Sequence, residues 1–197
     1  MLRMKKNGYT LIEFLVVIGI LVFAVGSSLL FLTSILRGSN QSNISAEVKQ
    51  NGQAVLDTLD SQMRNGTDAK LLTGADNPGI PGGSSPNNAI RVTLADGTFL
   101  YIACFNTVGT TSNGWIGTST TGASPYTSIT NTDIVSGVHI NCNPPNAGKT
   151  FSVGPSSTLS PAVVSVSFVV NQAAAAPSRQ DYKANVTFQT TISLRKY

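Results

Sequence analysis

Residues 5–36 read KKNGYTLIEFLVVIGILVFAVGSSLLFLTSIL, and the rest of the fold follows from how this stretch is read. From Phe14 to Leu36 there are 23 residues without a charge. As a helix rising 1.5 Å per residue they extend about 34 Å, enough to cross the hydrocarbon core of a bilayer. Arg3, Lys5 and Lys6 precede the run, which keeps the start in the cytoplasm and sends the remainder out. Two plainer readings compete: an uncleaved anchor, and a secretory signal peptide cut near Ala24-Val25-Gly26. The apolar core of a signal peptide is normally about 7–15 residues, and here the run begins at a glutamate and continues to Leu36.

Glu13 is the one acid in the first 36 residues. A carboxylate in the middle of a membrane helix costs roughly 2.5–3.5 kcal/mol on insertion scales, so it calls for a partner. Lys5 and Lys6 are the nearest cations, and both precede Gly8. A cut between Gly8 and Tyr9 would create an α-amine four residues before Glu13. That amine would meet Glu13 either within one chain, a helical turn away, or between neighbouring chains. Buried in a low-dielectric helix bundle, a pair between chains would fix their register.

Beyond the apolar run, Arg37 to Asn43 is polar but lacks proline. A one-sided stripe then follows in Ile44, Val48, Val55, Leu56, Leu59 and Met63, with Glu47, Lys49, Asp57, Asp60 and Arg64 between. Asn65-Gly66 reads as the stop. The pattern predicts one helix from about Tyr9 to Asn65, apolar all round in its first half and on one face in its second. Residues 73–88, TGADNPGIPGGSSPNN, carry dense turn signals and read as a loop. Residues 106–132, rich in Thr, Ser and Gly around Trp115 and Tyr126, read as a second long loop whose aromatics pin it to a sheet or form an exposed adhesive patch.

Period-two alternation marks the strands. Leu100, Ile102 and Cys104 share one face, as do Val138, Ile140 and Cys142, so both sulfurs point inward where they could meet. Two cysteines in an exported segment read as one disulfide, Cys104–Cys142, with a pair of buried thiols as the alternative. Val164, Val166, Phe168 and Val170 form another face. Tyr182, Ala184, Val186, Phe188, Ile192 and Leu194 alternate with polar residues as a half-buried antiparallel strand. His139, the one histidine, falls on the face opposite Cys142, toward solvent, which argues against a metal site or a Cys/His nucleophile. No G-x-S-x-G, H-E-x-x-H or phosphate-binding glycine loop occurs, so the expectation is a protein that is not an enzyme and has no cofactor. The formal charge of +4 shrinks to near neutrality once the three leader cations are removed, which is little support for a nucleic-acid partner.

Basic residues, Gly8, the aromatic Tyr9, Thr10-Leu11-Ile12-Glu13 and an apolar helix together resemble the class III signal of type IV prepilins and type II secretion pseudopilins. The resemblance covers about 28 residues and is highly specific to that family. It implies cleavage after Gly8 by a prepilin peptidase, N-methylation of Tyr9, and a role for Glu13 in docking other pilin subunits. It further implies storage in the cytoplasmic (inner) membrane as a single-pass chain, and a filament assembly platform that extracts the subunit into an extracytoplasmic filament. Gln53 to Asn65 and the closing FQTTISLRKY look similar to minor pilins and minor pseudopilins. Two features depart from major pilins: no proline lies between Tyr9 and Gly66, and 55 residues follow Cys142.

The expected architecture is α+β: a long N-terminal helix packed on an antiparallel sheet of about four strands. Its divisions are a leader over 1–8, a membrane or filament-core helix over 9–36, an amphipathic continuation over 37–66, and a β domain over 67–197. The expected role is structural, a minor pilin or pseudopilin. A monomeric, membrane-anchored binding or adhesion protein is the alternative.

Overall fold

The computed structural model describes residues 10–72, 89–106, 112–123, 125–143, 148–154, 156–157, 160–177, 179 and 182–195. Helix α1 (Leu11–Met63) is a single run of 53 residues. The expected loop over 73–88 lies outside the described residues.

The chain divides into two units, one ending at Asn40 and one beginning at Gln41. In the first, every helical residue from Leu11 to Ser39 is exposed. This is the one helix among the described residues long and apolar enough to cross a membrane, which suits a membrane anchor or a signal sequence. Three of its hydroxyls are satisfied internally: Ser27 Oγ and Ser28 Oγ donate to the Ala24 carbonyl at 2.9 and 2.8 Å, and Thr33 Oγ1 to that of Leu30 at 2.9 Å. Such back-bonding removes the need for water along an apolar run.

In the second unit, α1 buries Val48, Gly52, Val55, Leu59 and Met63, with Ile44 and Leu56 partly covered. These positions recur every three or four residues, so one stripe faces the core. Gly52 belongs to the stripe for a steric reason: a Cβ there would collide with the Phe188 ring. The helix ends at Met63, and Gly66 is already the first residue of a strand. Gly66 has no positive φ, so it is not the left-handed helix stop that the sequence suggests. It is small because a Cβ would strike Val92, with the Met63 carbonyl also close at 3.0 Å.

The class is α+β with antiparallel pairing throughout, but the strands form two sheets rather than one of about four strands. The first sheet holds β1 (Gly66–Leu71), β2 (Ala89–Leu94), β3 (Phe99–Phe105), β4 (Trp115–Ser119) and β5 (Thr127–Ser128), in that order. The second holds β6 (Val138–Asn141), β7 (Phe151–Gly154), β8 (Val163–Gln172) and β9 (Asn185–Ser193). Along β8, residues 163–166 pair with β7 and 169–172 with β6, while β9 pairs along 163–171. β6 and β7 therefore lie end to end on one edge of β8, with β9 on the other. Between them Ser167 N–H donates to the Thr150 carbonyl at 2.7 Å.

β4 and β5 lie inside the stretch read as a loop over 106–132, and that reading is corrected. The strands are short and made of Thr, Ser and Gly, whose composition hides the alternation of Trp115, Gly117 and Ser119 with Ile116 and Thr118. The main core joins the helical stripe to one face of each sheet: Ile90, Val92, Ile102 and Ile116 from the first, Val164, Val166, Phe168 and Val170 from the second. A smaller cluster on the outer face of the first sheet gathers Ala89, Ala103, Phe105 and Tyr126. There Trp115 stacks on Phe105 at 4.2 Å and Tyr126 meets it edge-on at 5.2 Å. The two aromatics pack on the sheet.

Candidate functional site

Thr10 and Glu13 form the start of the helix. The Thr10 carbonyl accepts the first helical bond, from Phe14 N–H at 3.2 Å. Its Oγ1 accepts from Glu13 N–H at 3.3 Å, and Thr10 N–H donates back to Glu13 Oε2 at 3.4 Å. This is a capping box, in which two otherwise unpaired backbone donors are satisfied reciprocally. The Thr-x-x-Glu spacing that signals it is legible in Thr10-Leu11-Ile12-Glu13, although the partner expected of Glu13 from sequence is instead an amine. The carboxylate also sits at the positive end of the helix dipole, where negative charge is favoured. Gly8 and Tyr9, the expected processing residues, lie outside the described residues.

Cys104 and Cys142 are joined, S–S 2.02 Å, with Cα atoms 5.7 Å apart and both side chains fully buried. The bridge ties β3 of the first sheet to the residue after β6 of the second. A closure of this length contributes on the order of 3–4 kcal/mol in the chain-entropy description. The same seam carries backbone bonds. Ile140 N–H donates to the Gly114 carbonyl at 2.9 Å, and Cys142 N–H donates to Asn106 Oδ1 at 3.0 Å. A Cβ at Gly114 would meet the Ile140 carbonyl, so only glycine lets the two backbones approach.

His139 is half-buried in this seam rather than turned to solvent. Gly114 N–H donates to its Nδ1 at 3.0 Å, which leaves the ring proton on Nε2. Alternation along β6 places His139 opposite Cys142 correctly, but the backbone at Gly114, just before β4, meets that face, which the sequence did not reveal. Burial pushes the imidazole below its usual value, disfavouring the cation. Among the described residues, His, Cys, Asp and Glu form no group of three or more able to hold a metal.

Comparison of the chain with models of known protein families, with curated proteins and with solved structures found no match.

Proposed function

We propose that the chain is a structural subunit of a type IV pilus-like filament or type II secretion pseudopilus, a minor pilin or pseudopilin cleaved after Gly8. One observation carries this reading. A single helix is exposed and apolar on all sides from Phe14 to Leu36, then becomes one-sided and enters the core of an antiparallel domain. Such a first half suits lipid during storage and other apolar helices after assembly. Between these two apolar surroundings the gain comes from close packing and polar pairing rather than from exclusion of water. Gly19 and Gly26 carry no side chain, which lets another helix approach closely.

In this scheme the prepilin peptidase, the assembly platform and other subunits are the partners. Neutralisation of Glu13 by the Tyr9 amine of a neighbour is the docking contact. A photo-crosslinking side chain in place of Phe23, which is 79% exposed, tests the scheme in native cells. Adducts with the apolar helix of another subunit are expected. Adducts with lipid alone, in cells that are making filaments, would contradict it.

The capping box favours a second reading, a monomeric membrane-anchored surface protein, because it gives Glu13 a use that needs no neighbour.

A further inference from the structure

Among the described residues, the large apolar side chains exposed outside Leu11–Leu36 are Phe99, Ile134 and Val135. The last two are adjacent, 43% and 67% exposed, at the tip of a tight turn. The turn is rigidly built. Asp133 Oδ1 accepts from Val135 N–H at 2.9 Å, Ser136 N–H at 2.7 Å and Ser136 Oγ at 3.0 Å. From beneath, the buried Asn113 donates from Nδ2 to the Asp133 carbonyl at 2.6 Å and accepts from Ala174 N–H at 2.7 Å. Ala175 N–H donates to the Ile134 carbonyl at 3.0 Å. Polar groups of the tip are tied to one another and to Asn113, while the side chains of Ile134 and Val135 stand exposed. Behind Val135 lies a cleft of about 340 Å³, lined by Ile44 and Val48 of α1 and by Ala173, Ala176 and Tyr182.

Ile44 follows Leu36, the last residue of the apolar run, by eight residues. Eight residues span at most about 28 Å even when fully extended. In a chain whose apolar run crosses a bilayer, Ile44, which lines the same cleft as Val135, therefore lies no further than that from the end of the run.

We infer that the Ile134–Val135 tip is a membrane-surface contact that inserts at headgroup level while the subunit is stored in the bilayer. The inference rests on the membrane reading above. Beside the site Asp133 on the turn and Glu47 in the cleft are acidic and Arg179 over the Tyr182 ring is basic, so there is no basic excess, and apolar insertion rather than attraction to anionic lipid makes the contact. It is accordingly insensitive to salt.

The test uses the full chain in phosphatidylcholine vesicles, with a nitrobenzoxadiazole label on Val135→Cys. The native cysteines are buried in their disulfide and do not compete for the label. A second label on Ser152→Cys reports an exposed strand position. The expected result is a blue-shifted Val135 emission, quenched by lipid carrying a headgroup-level nitroxide, unchanged at high salt and at low protein-to-lipid ratio, with the Ser152 label remaining in water. Ile134→Ser beside the labelled position should reduce both shift and quenching, and being on an exposed tip it leaves the core intact. A Val135 label that stays in water while the chain resists carbonate extraction would overturn the tip contact and leave the anchor standing. A blue shift that appears only as protein per lipid rises, without nitroxide quenching, would assign the cleft to a second copy and likewise overturn it. A chain released by carbonate would overturn both.

Discussion

Glu13 has one use in the structure and a second under the filament proposal, and they separate by substitution. Its side chain completes the capping box with Thr10, a contact that glutamine also makes. Its charge is what a neighbour's amine would neutralise, and glutamine lacks it. Glu13→Gln should therefore keep the helix start but lose filament incorporation as fully as Glu13→Ala, with cleavage intact in both. Filaments that tolerate Gln and reject Ala would reduce Glu13 to a cap. Quantifying the subunit in sheared filament fractions distinguishes the two. His139 gives a prediction in pH. The unfolded imidazole titrates near the ordinary 6.5, while burial holds the folded one lower. Below 6.5 the unfolded chain binds the extra proton, so stability is fully present above that value and falls as the pH drops toward the folded value. Protonation of Nδ1 would also cost the bond from Gly114. Thermal melts of the detergent-solubilised chain should show lower stability at about pH 5.5 than at about pH 7.5, and His139→Gln should lose most of that slope.

At the scale of elements, the contact between α1 and β9 is decided at Gly52. Alanine is the better helix former by about 1 kcal/mol, but its methyl would enter the Phe188 ring, which stacks on Phe168 at 5.7 Å. Overpacking of this kind costs about 1–3 kcal/mol, so Gly52→Ala should destabilise the full chain. In a Phe188→Ala background the same change should be neutral or stabilising, a coupling that denaturant titration of the four variants measures. The helical stripe was legible because Ile44, Val48, Val55, Leu59 and Met63 carry their own period, yet Gly52 was not, since a glycine has no hydropathy to show. Strands with bulky alternation, such as β8 and β9, were equally legible. β2 begins directly after the expected loop over 73–88 and carries its own alternation in Ile90, Val92 and Leu94, yet it is not among the strands expected from sequence. β1, β5 and β7 are short or polar, and their sequences carry too little alternation to announce them. The inward cysteines announced the bridge, whereas His139 was misplaced because the cover over its face comes from Gly114, distant in sequence.

At the scale of the whole molecule, the chain pairs an apolar helix that water does not suit with an antiparallel domain locked by a disulfide across its two sheets. The first part asks for lipid or for other helices, and the second stands on its own core. The proposed filament connects them through one covalent event, removal of the leader, which would supply the Glu13 carboxylate with an amine to pair with between subunits. Mass spectrometry of the N-terminus of the protein recovered from its native cells tests that event directly. The account predicts a chain beginning at Tyr9 with a methylated amine. A chain that still begins at Met1 would contradict it.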